Sequence, residues 1–329
     1  MLVALLSDIH ANQHALDAVL ASTAAAGVDQ YWFLGDAVGY GPDPAAVLQW
    51  LRGDLAGVAA PAQWVLGNHD AMLSDLADVP AATAGPMPPG FQVGMDAAGN
   101  MLWASGAILS QKTWERTHPN ALHVIARHRA DLAGIAAGAI SELFTRERQM
   151  PVRVCRDGVE FVLVHSGQVD NLLRYIYAWQ EQQFLPDEFR LLAVGRKSGV
   201  LRVQCFGHTH VPTLVQGTIA DNGVVELHAT EVVPGITYSL GNNIWLLNPG
   251  SVGQPRDLCT CAAYALLDTV ARSVTFRRVK YLVHHTILRM QINDYPQPII
   301  GRLKSAHADQ ATPARWLEHY AVAAGVGCG

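Results

Sequence analysis

Short apolar runs recur along the amino-terminal part of this chain, and each one stops at a glycine or a polar cluster. Met1 to Ser7 (MLVALLS) predicts a buried strand, and Ala11 to Ala26, rich in alanine and free of proline, predicts a helix. Tyr31 to Leu34 and Gln63 to Leu66 are further apolar-biased runs, with a second helix expected at about 43–52 between them. Strands alternating with helices in this way argue for β-α-β units and a parallel sheet. Asp157-Gly158 between two apolar runs marks a hairpin whose second strand is Glu160 to Val164, and Val200 to Phe206 is another strand. From about 200 to 280, β runs alternate with turn signals, which predicts a second sheet there. Pro80 to Gly94 has the composition of a loop, followed by helices near 96–111 and 120–148. Two more helices are expected near 282–292 and 313–324, joined by a proline-containing connection.

The residues at the ends of these strands are chemically uniform. Asp8-Ile9-His10, Gly35-Asp36, Gly67-Asn68-His69-Asp70, His165 and Gly207-His208-Thr209-His210 each stand at the end of an apolar run. Carboxylates, neutral imidazoles and one amide oxygen are the donors that a pair of divalent cations needs to hold a water and ionise it near neutral pH. One such segment alone is weak, because a lone Asp-X-His or His-X-His is often a surface or core feature. Repetition at successive strand ends is different. Ligands of such sheets bind beyond the carboxyl ends of the strands, so the five segments are expected to meet along one edge.

Several blocks carry a resemblance to a known family. They are Asp8-Ile9-His10-Ala11-Asn12, Gly35-Asp36-Ala37-Val38-Gly39-Tyr40-Gly41-Pro42, Val65-Leu66-Gly67-Asn68-His69-Asp70, Phe206-Gly207-His208-Thr209-His210 and Leu247-Asn248-Pro249-Gly250-Ser251-Val252-Gly253-Gln254-Pro255-Arg256-Asp257. With them the chain resembles the calcineurin-like metallophosphoesterase superfamily, and within it a bacterial branch of small phosphodiesterases. The resemblance implies an α/β fold, a four-layer α-β-β-α sandwich. Residues 1–280 would form the phosphoesterase domain, with a helical insertion at about 80–150, and residues 281–329 a carboxyl-terminal helical appendage packed on it. It implies one metal on Asp8, His10, Asp36 and His210 and another on Asp36, Asn68, His165 and His208, with Asp36 bridging. The mixed nitrogen and oxygen donors suit manganese foremost, then iron, zinc, nickel or cobalt, over magnesium or calcium. The catalytic residues it implies are His69, acting on the leaving alkoxide or the transition state, and Asp70, orienting the His69 ring. Asp70 also fits a plainer role as a helix cap. Asn248-Pro249-Gly250-Ser251 and Arg256 are expected beside the site, supporting the ligand loops, and Arg174, Tyr175 and Tyr177 near the substrate pocket.

The related protein serine/threonine phosphatases carry an arginine two residues before the catalytic asparagine and an Asp-Arg pair after the bridging aspartate. Here Leu66 and Gly39-Tyr40 stand at those places. Without those guanidinium groups a second phosphate charge gains less, which favours a phosphodiester over a phosphoprotein. A dinucleoside polyphosphate hydrolase or a phosphomonoesterase is the alternative. Some relatives of this fold serve as protein-docking scaffolds, and loss of ligands or of the catalytic histidine would mark one. Neither is lost here.

Composition limits the partners. The chain has 329 residues, 28 Asp and Glu against 23 Lys and Arg, and no strong basic run, so a small phosphorylated or nucleotide-like substrate is expected and long nucleic acid is not. No apolar stretch approaches a membrane span, and the first strand begins without a basic leader, so a cytoplasmic enzyme is expected. Cys259-Thr260-Cys261 lacks a second pair at zinc spacing, and with Cys155, Cys205 and Cys328 scattered, reduced thiols are expected. His14, His118, His123, His128, His228, His284, His285, His307 and His319 stand outside any motif and are assigned to packing or solvent.

Overall fold

The computed structural model describes residues 1–77, 118–133, 140, 142–168, 171–180, 184–197, 199–220, 222–308 and 312–326. The expected loop at 80–94 and helix at 96–111 lie outside these residues. Two six-stranded sheets carry the fold. The first runs, edge to edge, β3 (Gln63–Trp64), β2 (Gln30–Phe33), β1 (Leu2–Leu6), β11 (Ala262–Asp268), β12 (Ser273–Val279) and β9 (Thr237–Ser239). The second runs β4 (Val152–Arg156), β5 (Val159–Leu163), β6 (Arg202–Cys205), β10 (Ile244–Asn248), β7 (Thr213–Ile219) and β8 (Val225–Thr230). β1, β2 and β3 are parallel to one another, as are β5, β6 and β10, while the remaining pairs are antiparallel.

Of the strands after residue 200, where a second sheet is expected, β6, β7, β8 and β10 form it with β4 and β5, while β9, β11 and β12 join the first sheet. β11 returns to lie antiparallel beside β1, pairing Leu2 with Asp268 and Leu5 with Ala265, and β12 and β9 join beyond it. The reason is in its composition: AAYALLD is apolar on both faces and is buried along nearly its whole length, which a central strand requires.

Strand alternation sorts the core into layers. Val3, Leu5, Trp32, Ala265 and Leu267 face Phe161, Leu163, Val203 and Leu247 between the two sheets. Ala4, Leu6, Phe33, Tyr264 and Leu266 turn the other way, onto α1 (Gln13–Ala26) and α2 (Pro44–Arg52). On the outer face of the second sheet, Val162, Val215 and Leu246 pack with Phe189 of α5 (Leu185–Ala193) and Trp316 of α8 (Ala314–Val326). The result is helix, sheet, sheet, helix.

Local signals explain the helix ends. Asn12 caps α1 by accepting the Ala15 amide hydrogen, and Gly27 at φ 69° ends it. α3 (Asn68–Ala77) starts directly at the third ligand segment, and α4 (Pro119–Leu132) starts with proline in its first turn. α4 ends at Leu132, short of the expected 148, and a 3-10 helix occupies Arg146–Gln149. After α6 (Val283–Ile292), the expected connection contains a helix, α7 (Gln297–Ser305). Pro298 lies in its first turn, where a missing N–H forfeits no intrahelical bond. Ile287, Met290, Tyr295, Ile299, Ile300 and Leu303 bury against Val124 of α4. Each such side chain contributes about 1.5–3 kcal/mol when fully buried. The carboxyl-terminal helices are therefore fastened to α4.

Cys261 is disulfide-bonded, contrary to the expectation of reduced thiols throughout, so thiol chemistry no longer argues for a reducing compartment. No helix among the described residues is long and apolar enough to cross a membrane.

Candidate metal centre

The ligand segments leave their strands through tight turns. Asp8, His10, Asp36, His208 and His210 all have positive φ, between 49° and 65°. For residues with a Cβ that region costs about 1–3 kcal/mol each, so the surrounding backbone must enforce it. It does: the amides of Asp8 and His10 donate to the carbonyls of Gly35 (3.0 Å) and Asp36 (2.9 Å), and Gly207 donates to His165 (2.8 Å). The loop after β10 completes the frame. Ser251 Oγ donates to the Asp8 carbonyl at 2.8 Å, and Asn248 Nδ2 donates to the Gly207 carbonyl at 2.7 Å.

These turns bring the expected ligands together in two groups. Asp8, His10, Asp36 and His210 form one, and Asp36, His165 and His208 the other, with the donor atoms of each group within 4.8 Å of one another. All are buried. Asp36 belongs to both, and its Oδ2 lies 3.6 Å from His10 Nε2 and 3.5 Å from His165 Nε2. Its Oδ1 accepts the His69 amide hydrogen at 2.8 Å. Asn68 joins the second group, with Oδ1 3.1 Å from His165 Nε2.

The backbone sets the tautomers. Nδ1 of His10, His165 and His210 lies 2.9, 2.7 and 2.5 Å from the carbonyls of Val38, Leu34 and Gln254. A carbonyl only accepts, so each Nδ1 carries the hydrogen and each Nε2 presents a lone pair to the centre. His10 Nε2 and His210 Nε2 then face each other at 3.0 Å with two lone pairs and no proton between them. His208 Nε2 is buried with no hydrogen-bond partner among the described residues. Lone pairs converging in this way repel unless a cation accepts them. The residues therefore fit a metal pair.

Electrostatics give the same reading. Burial pushes the Asp8 carboxyl up to about 7 and Asp36 well above its ordinary range. It holds His165 down to about 4, and His10, His208 and His210 well below the usual imidazole value. Such a box disfavours charge of its own on either residue type, while a bound cation favours both the carboxylate and the neutral imidazole.

Asp70 does not contact the ring it was expected to orient. Its carboxylate accepts from the amides of Asp36 (2.9 Å), Val38 (3.1 Å) and Gly67 (3.1 Å), which pins the bridging loop to the start of α3. His69 Nδ1 has no hydrogen-bond partner among the described residues, and its ring packs on Tyr40 with centroids 4.5 Å apart. Gly39, at φ 91°, makes that ring's position available, because a Cβ there would collide with His69 Nδ1.

Some residues here had no motif to announce them. His128 of α4 is fully buried, accepts the Gly39 amide hydrogen at Nδ1 (3.2 Å) and donates from Nε2 to the Gly41 carbonyl (2.7 Å). Its only sequence signal is a place in the apolar stripe Val124, His128, Leu132 at helical spacing. His14, by contrast, bonds Thr286 Oγ1 away from the centre, at 3.0 Å. Arg256, 3% exposed, sets its charge near the ligands and Tyr40, so the site has a guanidinium although neither phosphatase arginine position supplies one. A cleft of about 470 Å³ opens beside the ligands, walled by Tyr40, Tyr175, Gln254, Arg256, Arg302 of α7 and the start of α4.

The chain is similar to known proteins. Residues 1–272 match the model of the calcineurin-like phosphoesterase superfamily domain. The chain is 22% identical over 318 residues to the uncharacterized protein MJ0912 of Methanocaldococcus jannaschii, covering 92% of this chain and 97% of that one. Among solved structures it is similar to a metallophosphoesterase from Sphaerobacter thermophilus, with TM-score 0.61 and 25% identity, covering 93% of this chain and all (100%) of that one. It also shares the fold of the hypothetical protein PH1004 from Pyrococcus horikoshii OT3, with TM-score 0.64 and 16% identity over 94% and 99% of the two chains.

Proposed function

Because the chain belongs to the calcineurin-like phosphoesterase superfamily, we propose that it is a dinuclear metal-dependent phosphodiesterase acting on a small phosphorylated or nucleotide-like substrate. The observation that carries this reading is the pair of donor groups sharing Asp36, with imidazole lone pairs converging on both. Asp8, His10, Asp36 and His210 would hold one ion, and Asp36, Asn68, His165 and His208 the other. Manganese fits this donor set, as do iron, zinc, nickel and cobalt. Bound there, the ions supply Lewis acidity and a water ionised near neutral pH.

The chain's own residues do the rest. Arg256 pairs with a non-bridging phosphate oxygen, where a guanidinium is worth more for being buried. His69 donates a proton, or a hydrogen bond, to the leaving oxygen. Burial and the charge of Arg256 hold its pKa down to about 3, so the ring is neutral in the free protein near pH 7 and keeps one N–H to donate. Asp70 is a positioning residue, acting through the amides of the bridging loop. A diester carries a second substituent, and the adjoining cleft offers it room.

The test is a substrate comparison on protein stripped of metal and reconstituted with single divalent ions. With manganese, bis-p-nitrophenyl phosphate is expected to show a higher kcat/KM than p-nitrophenyl phosphate. A clear preference for the monoester would make the protein a phosphomonoesterase, and no turnover with any ion would favour a docking scaffold.

A further inference from the structure

The cleft beside the ligands has two chemically different sides. Tyr40, Gln254 and Arg256 wall it next to the metal ligands, while Arg302 enters from a separate helix, α7. No carboxylate is among the described residues that line it. Arg256 and Arg302 line one cleft together with Tyr40. Arg256 already has a use at the scissile phosphate. Arg302 has none there, and it gives the cleft a second site for negative charge.

An aromatic platform stands at the same cleft. The Tyr175 ring lies 4.1 Å from that of His208 and is held nearly parallel to Tyr177, 22° apart at 6.0 Å. Tyr177 in turn stacks on Trp179 at 4.5 Å and 11°. The ladder fixes the orientation of Tyr175, yet 41% of that residue stays exposed. A ring so held, beside two guanidiniums in a space of about 470 Å³, matches the parts of a nucleotide: a flat base and consecutive phosphates.

We propose that this cleft recognises a nucleoside diphosphate group, with one phosphate at the metal ligands beside Arg256, its neighbour paired with Arg302 and the base stacked on Tyr175. The inference deepens the hydrolase reading and rests on it only for the position of the first phosphate. It makes Arg302 a specificity-determining residue contributed by the carboxyl-terminal helices.

Calorimetric titration tests it without turnover. The probes are AMP, the non-hydrolysable α,β-methylene-ADP and methylene diphosphonate, on metal-loaded and metal-stripped full-length protein. α,β-Methylene-ADP is expected to bind about tenfold or more tighter than AMP, the size of one charge-assisted phosphate contact. Arg302→Gln should erase that ratio, Arg302→Lys should restore part of it, and Arg315→Gln on the exposed face of α8 should leave it intact. Tyr175→Ala should weaken α,β-methylene-ADP several-fold and leave methylene diphosphonate unchanged. Equal binding of AMP and α,β-methylene-ADP by the unaltered protein would overturn the proposal, as would a ratio that survives Arg302→Gln. If no phosphoester is hydrolysed with any ion while the ratio and its dependence on Arg302 hold, the recognition stands and the hydrolase reading fails.

Discussion

The floor of the site and its wall are built on different principles. The floor is a set of strand-end turns whose ligands are locked by their own backbone, down to the carbonyls that fix each imidazole tautomer. The wall comes from α4, α7 and the Tyr175 segment, elements packed by ordinary apolar burial and joined to the floor at a few polar contacts. One such contact is His128, which ties α4 to the loop carrying Tyr40 and meets Tyr295 Oη at 3.4 Å. The difference separates two jobs. On the proposed reading chemistry depends on the floor and substrate choice on the wall, so changes in each should fail in different ways.

The largest expected effect breaks the floor's chemistry while sparing its metals. His69→Ala should retain both ions yet lose turnover by roughly two to four orders of magnitude if proton donation is its main role. The loss should be greatest for poor, basic leaving groups and smallest for nitrophenolate. Equal losses across leaving groups would mean that His69 stabilises charge on the phosphoryl oxygens instead. Metal release in that variant would mean that its role had been misassigned.

A second break acts on the floor's geometry. A Cβ on Gly67 would overlap the Asp36 carboxylate and amide, so Gly67→Ala must displace the bridging loop. Overpacking of this kind costs about 1–3 kcal/mol, or more where backbone is the obstacle. The variant should melt several degrees lower and bind manganese more weakly. Unchanged metal affinity would show that the loop yields more easily than its hydrogen bonds to Asp70 suggest.

The smallest effect probes the seam between wall and floor. Burial holds His128 at about 4, below its ordinary 6.5. A depressed imidazole pKa means the folded state binds fewer protons than the unfolded one there. Its contribution is therefore complete above pH 6.5 and is lost as the pH falls from 6.5 through about 4. The full shift corresponds to about 3 kcal/mol. His128→Gln should be less stable than the unaltered protein at pH 7.5 and should lose less on acidification to pH 4.5. Parallel pH-stability curves would contradict the assignment.

Legibility from sequence divides along the same line. The proposed ligands are readable because metal chemistry restricts residue type and the sheet restricts position, so Asp8, His10, Asp36, Asn68, His165, His208 and His210 announce themselves at strand ends. The bridging loop's anchor is only half readable: Asp70 is visible as chemistry, but its three amide partners come together only in the assembled fold. The wall is only partly readable: Tyr175 and Tyr177 line the cleft as expected, but Arg302 does not announce itself. Pro298 disguises α7 as a connection, and the return of β11 to the first sheet depends on a long-range pairing with β1 that no local pattern encodes. Arg256 is legible as a neighbour of the site, but its charge there is not, because the guanidinium arrives from a distant loop and not from either phosphatase arginine position.

Asp36 joining two cation sites into one centre is the central claim. Elemental analysis of purified protein reconstituted with manganese, compared with its Asp36→Asn variant, addresses it most directly. Two ions per chain are expected in the unaltered protein and loss of both, together with activity, in Asp36→Asn, while His165→Ala keeps one. Two tightly held ions in Asp36→Asn, or a single ion in the unaltered protein, would contradict it.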